Sequence, residues 1–129
     1  MTDTPNLWPD LGHIDTSQNP RTFVKEQGTL LGSMTSNRLL ADVKVKPHAD
    51  GNGLYTEFHI LVPAAKNYSY ELFYYSTKGV KFFPMTLHFN GTAHEVYNFD
   101  GFKAKVAEIL KSHETKEVLR GLLALADEP

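Results

Sequence analysis

The spacing of apolar residues predicts a helix near the start of the chain. From Asn19 to about residue 35 the apolar side chains recur at helical spacing. Asn19 and Pro20 are typical of a helix start, because Asn accepts a backbone N–H and proline lacks only a donor that the first turn does not use. Gly28 and Gly32 lie four residues apart in this helix. They indicate either a close approach of another backbone or simply a weaker helix.

After residue 38 the period changes to two, which is typical of strands. Five strands are predicted, over residues 39–46, 54–62, 68–76, 80–89 and 92–99. Lys78-Gly79 predicts a two-residue turn between the third and fourth strands, and Asn90-Gly91 is a strong hairpin signal between the last two. Consecutive strands joined by short turns favour an antiparallel meander.

The C-terminal part returns to helical spacing. Asp100 is the predicted N-cap of a second helix, and the apolar spacing from Val118 to Leu125 predicts a third. The fold class is therefore α+β, with an N-terminal helix, a five-stranded antiparallel sheet and two C-terminal helices packed on it. Residues 1–18 show no clear period and are predicted to form an irregular arm, with residues 19–129 as a single domain.

Composition excludes several classes of function. The chain of 129 residues has no cysteine, which removes disulfides, thiolate metal sites and cysteine nucleophiles. Thirteen basic and fifteen acidic residues give a net charge of −2, so no overall positive field favours nucleic acid. With neither a signal-peptide pattern nor an apolar run of about 20 residues, we expect a cytoplasmic protein without membrane contact.

Aromatic residues are concentrated in the predicted sheet. With a two-residue turn, Tyr74 pairs with Phe83 and Tyr75 with Phe82, which makes both faces of the sheet apolar. One face is then the core, and the other is a candidate interaction surface unless the chain itself covers it. The candidate binding residues on that surface are Tyr55, His59, Tyr75 and Phe82.

The six histidines do not follow a recognised metal-binding spacing. His88 and His94 flank the Asn90-Gly91 turn on opposite faces, so they are not expected to chelate one ion together. Glu57 and His59 alternate onto one face of the second strand and form a candidate acid–base pair. No cofactor or metal is expected from these patterns.

Three hypotheses about function remain. The first is a small non-catalytic protein of the immunity-protein or chaperone type, which binds another protein, or itself, through an aromatic sheet face or edge. The second is a cystatin-like or lipocalin-like layout in which the curved sheet and the first helix enclose a small apolar ligand. The third is an enzyme that uses His59 and Glu57, and it is the least favoured.

Overall fold

The computed structural model describes residues 4–15 and 18–128, and it has the predicted α+β layout. Residues 1–3, 16 and 17 of the predicted arm, and Pro129 of the predicted domain, lie outside the described residues. The main elements are α1 (Pro20–Met34), β1 (Leu40–Pro47), β2 (Gly53–Val62), β3 (Tyr68–Lys78), β4 (Met85–Phe89), β5 (Thr92–Val96), α2 (Phe99–Leu110) and α3 (His113–Asp127). The strands form one antiparallel sheet in the order β1-β2-β3-β4-β5.

Each long helix begins at a capping side chain. The Asn19 side chain accepts hydrogen bonds from the next backbone N–H groups, and Pro20 is the first residue of α1, as predicted. For α2 the prediction of Asp100 as the cap is wrong. The Asn98 side chain accepts from the Gly101 N–H at 2.7 Å, and Asp100 lies within the first turn. Ser112 caps α3 in the same way.

The helices cover one face of the sheet, where the core lies. The side chains of β2 that point to this face are Thr56, Phe58, Ile60 and Val62, all buried. Buried side chains from the helices and the other strands complete the core, at Val24, Leu39, Leu72, Phe73, Tyr75, Met85, Leu87, Val96, Phe102, Val106, Ile109 and Leu122. We refer below to the face that carries Tyr55, Glu57 and His59 as the open face.

Gly28 sets how closely α1 lies on the sheet. A Cβ added to Gly28 would stand 2.5 Å from the Cβ of Ala41 on β1, and 3.7 Å from a ring carbon of Phe58. At this position the absence of a side chain lets the helix approach the strand, as the glycine spacing indicated. Close approach, rather than mere helix weakness, therefore explains Gly28.

The predicted turn at Lys78-Gly79 is wrong. β3 continues to Lys78, residues 79–84 form a loop, and β4 begins only at Met85. Thr77 consequently pairs with Met85, and Tyr74 pairs with His88 rather than with Phe83. The last hairpin is as predicted, with Phe89 opposite Thr92 and His88 opposite Ala93.

The described part of the arm lies at the surface. Leu7, Trp8 and Leu11 are largely exposed, with Trp8 at 78%. A short 3-10 helix at Leu11–His13 is capped by the Asp10 side chain. Within the described residues, no helix has the length and apolar character needed to cross a membrane.

Candidate functional site

An apolar cleft opens between the helices on the core side of the sheet. Its volume is about 450 Å³, which lies within the range typical of small-molecule sites. α1, α2, α3 and the core face of β2 and β3 all contribute to its walls. The lining residues are Phe23, Gln27, Leu30, Leu31, Met34, Phe58, Ile60, Leu72, Val106, Ala107, Leu110, Lys111, Thr115 and Leu119.

The way α1 is anchored keeps one side of this cleft open. Near its start, Phe23 makes edge-to-face contacts with Phe99 and Phe102, with ring centroids 6.0 and 6.1 Å apart. Further along, Gly28 rests on β1. Leu30 and Met34 lie on the cleft side of the helix and are 53% and 83% exposed. Apolar side chains are thus left in water at the mouth of a concave apolar surface.

Three polar residues line the cleft. The Thr115 hydroxyl is buried and donates to the Ile109 carbonyl at 2.7 Å, so it is already used within the fold. Gln27 is half-buried and Lys111 is exposed. In the described part of the chain no ion pair involves Lys111. An apolar ligand in the cleft therefore meets one available cation, the Lys111 ammonium at the C-terminal end of α2.

A row of aromatic rings crosses the open face of the sheet. His48 contacts Tyr55 with centroids 3.9 Å apart, Tyr55 meets Tyr74 edge-to-face at 5.9 Å, and Tyr74 stacks on His88 at 4.4 Å. All four rings are half-buried. Such contacts stabilise the sheet and hold the rings in fixed positions. The row forms a partly apolar surface that runs from the residue after β1 across β2 and β3 to β4.

Beside this row lies a polar cluster centred on His59. The Nε2 of His59 is 2.9 Å from the Oε1 of Glu57, and its Nδ1 is 3.1 Å from the Oγ of Ser69. Lys46 reaches the same Glu57 oxygen at 3.1 Å. The hydrogen bond with His59 and the nearby Lys46 ammonium lower the pKa of Glu57, although partial burial acts in the opposite direction. A carboxylate, an imidazole and a hydroxyl connected in this way can hold and move protons.

Two of the four predicted binding residues lie on the open face of the sheet. Tyr55 and His59 are on the open face, as expected from the alternation of β2. Tyr75 is not on that face, since it pairs with Leu87, is 4% exposed and packs edge-to-face on Phe102. Phe82 lies in the loop between β3 and β4. The predicted pairing of Tyr75 with Phe82 failed because the connection is longer than two residues, which shifts every later partner.

Sequence reasoning missed several residues that the fold brings to these sites. Ser69 and Glu71 join His59 because of an irregularity in the β2–β3 pairing that has no clear signature in the sequence. Leu30 and Met34 belong to the helically spaced apolar residues between 19 and 35, and this spacing gives no sign that they border a cleft. No protein-family model, no curated protein and no solved structure matches this chain.

Proposed function

We propose that the protein binds a small, elongated apolar molecule with an acidic end in the cleft between α1, α2 and α3. The observation that carries this proposal is a concave apolar surface of about 450 Å³ with exposed Leu30 and Met34 at its mouth. Large concave apolar sites with few polar groups are typical of small-molecule binding. The proposal corresponds to the second hypothesis from the sequence, a ligand enclosed by the sheet and the first helix.

The acidic end is inferred from Lys111. An ammonium group beside an apolar wall attracts a carboxylate, while the rest of the ligand stays in the cleft. Because Lys111 is exposed, this pair adds only about 0.2–1 kcal/mol to binding. Apolar burial therefore provides most of the affinity, and the charge provides a modest preference between ligands of equal length.

The test is a titration with dodecanoate, followed by calorimetry, on a variant that fills the cleft. Ala107 lines the cleft on α2, whereas Ala104 lies on the exposed side of the same helix. We expect saturable one-to-one binding that Ala107→Phe weakens by about tenfold or more, equivalent to ~1.4 kcal/mol. Ala104→Phe adds the same side chain outside the cleft and is expected to leave the affinity unchanged.

The smaller substitution Ala107→Leu serves as a second variant and should give an intermediate loss. Equal affinities for Ala107→Phe and Ala104→Phe would show that dodecanoate binds elsewhere, and absence of saturable binding would remove the proposal. Dodecanol, with the same chain and no charge, tests the role of Lys111. We expect Lys111→Met to weaken dodecanoate by a few-fold and dodecanol hardly at all.

A second candidate function is protein binding through the open face, the first hypothesis from the sequence. The row of rings from His48 to His88 favours it, because rigid aromatic side chains are common anchors in protein interfaces. A second copy of the chain is the partner that can be tested directly. Sedimentation equilibrium should then reveal a dimer that Tyr55→Ala weakens, and a monomer at all accessible concentrations would exclude self-association through this face.

A further inference from the structure

The cluster around His59 brings together three groups with metal-binding chemistry. Glu57, His59 and Glu71 each offer one ligand atom, and these atoms lie within 4.8 Å of one another. Two of the side chains are well shielded, since 14% of His59 and 17% of Glu57 is exposed. The third, Glu71, is exposed. The cluster lies on the open face, away from the apolar cleft.

A β-bulge places these residues side by side. From Gly53 to Phe58 the pairing with β3 is regular, and then the register shifts by one residue, so that His59 pairs with Glu71 and Leu61 with Ser69. Without the shift, His59 would pair with Leu72, and Glu71 would pair with the core residue Ile60. The bulge therefore puts Leu72 into the core and Glu71 onto the open face. Bulges often re-aim side chains next to functional sites in this way.

The contacts of His59 suit a metal ligand. Metal-binding histidines usually donate the N–H of the second ring nitrogen to an oxygen, which fixes the tautomer and the ring orientation. Ser69 Oγ lies 3.1 Å from Nδ1 and can accept that hydrogen bond. A bound ion then takes the place of the proton between Nε2 and the Glu57 oxygen, which are 2.9 Å apart. The 2.9 Å between Nε2 and the Glu57 oxygen is compatible with metal–ligand bonds of about 2.0–2.2 Å to both atoms.

We propose that Glu57, His59 and Glu71 form a binding site for a divalent transition-metal ion, with Ser69 as the positioning residue for His59. One imidazole and two carboxylates are ligands that Zn²⁺ accepts, and three protein ligands leave a coordination position for water or another molecule. No metal site was indicated by the histidine spacing, and residue spacing alone does not bring Glu71 to His59. This inference does not depend on the proposed function of the cleft.

Lys46 is the competing cation at this site. Its ammonium lies 3.1 Å from the Glu57 oxygen, and 57% of the side chain is exposed. A bound ion needs that oxygen, so Lys46 must move into the solvent when the ion binds. We therefore expect that Lys46→Met, which removes this positive charge, strengthens metal binding.

The experiment is a calorimetric titration of the full chain with Zn²⁺ at neutral pH, together with NMR of the histidine rings. We expect one ion per chain, displacement of the His59 ring signals, and at least about tenfold weaker binding for Glu71→Gln and for His59→Gln. Ser69→Ala should weaken binding by about tenfold as well, because outer-shell partners commonly have effects of that size. Lys46→Met should bind more tightly than the unchanged chain.

Two residues on the same face provide matched controls. Glu95, which accepts a hydrogen bond from Thr86, and His88, which stacks on Tyr74, lie outside the cluster. Glu95→Gln and His88→Gln are expected to leave the affinity for Zn²⁺ unchanged. The proposal is overturned if Zn²⁺ does not bind, if Glu71→Gln binds as tightly as the unchanged chain, or if the controls lose as much affinity as the cluster variants.

Discussion

Gly28 and Gly121 form a matched pair that tests how α1, one wall of the cleft, is seated on the sheet. Both glycines lie inside helices, so alanine gains about 0.8–1.0 kcal/mol of helix propensity at either position. At Gly121, on the exposed side of α3, an added Cβ meets no described atom within 4 Å. We therefore expect Gly121→Ala to raise the free energy of unfolding by about 1 kcal/mol.

At Gly28 the same methyl group would lie 2.5 Å from the Cβ of Ala41, so the helix or the strand must move. Overpacking of this kind costs about 1–3 kcal/mol. The propensity gain offsets part of that cost, which leaves a net loss of up to about 2 kcal/mol for Gly28→Ala. Because the propensity gain is common to both variants, the difference between them isolates the cost of the contact, about 1–3 kcal/mol.

Urea denaturation followed by circular dichroism measures both variants, and the slope with denaturant concentration shows whether unfolding remains comparable. We expect the midpoint to rise for Gly121→Ala and to fall for Gly28→Ala. If Gly28→Ala stabilises the protein as much as Gly121→Ala does, α1 does not rest on Ala41, and the wall of the cleft is misplaced.

Three further predictions concern the core, the loop and the arm. The hydroxyl of Tyr75 is buried near the Thr56 side chain, but no hydrogen bond of regular geometry to it is found in the part of the chain that the structure describes, so Tyr75→Phe should be neutral or stabilising by up to about 1 kcal/mol in urea denaturation. Burial raises the pKa of Tyr75 to about 12. The phenol of the unfolded chain ionises near pH 10, so the folded state loses stability as the pH rises from 10 to 12. Relative to Tyr75→Phe, the unchanged chain should lose up to about 3 kcal/mol over this range. Equal pH profiles for the two proteins would contradict the burial of Tyr75. Met85→Ala, at a fully buried position, should cost about 2–5 kcal/mol, and Phe82→Ala, at a half-buried position in the loop, clearly less. Equal losses would contradict the observed β3–β4 register. Trp8 is 78% exposed and should fluoresce like tryptophan in water, whereas a blue-shifted spectrum would show that the arm is docked.

Local patterns were sufficient for most of the fold. Asn19-Pro20 marked the start of α1, Asn90-Gly91 fixed the last hairpin, and the alternation in β2 placed Tyr55 and His59 on the face opposite the core. Each of these features depends on residues that are close in the sequence. The α+β order follows from them, because short connections favour neighbouring antiparallel strands.

The register of β3 with its neighbours could not be obtained in this way. Tyr75 lies in the core because it pairs with Thr56 of β2, and the loop at residues 79–84 makes Leu87 its partner in β4. The bulge opposite His59 turns Glu71 to the open face. A change of one residue in register exchanges the two faces of a strand, so small errors in the connections have large effects on site assignments. Tyr55 and His59 were assigned to the correct face because β2 is regular through both positions.

The cleft could not be predicted from the spacing of apolar residues, for a different reason. Helical spacing showed that Leu30 and Met34 share the apolar side of α1, but not how far the other helices would extend beneath them. The position of α1 relative to the other elements depends on the contacts of Phe23 with α2 and of Gly28 with β1. These contacts join residues that are far apart in the sequence. The second hypothesis from the sequence described a pocket between sheet and helix without identifying its walls.

The most direct test of ligand binding in the cleft is an NMR experiment that detects intermolecular NOEs between dodecanoate and the methyl groups of the protein. Leu31, Ile60 and Leu119 belong to α1, β2 and α3, and all three line the cleft. We predict NOEs from the dodecanoate chain to methyl groups of all three residues. NOEs confined to the rings of Tyr55 and Tyr74 on the open face would contradict the proposal and place the ligand on the other side of the sheet.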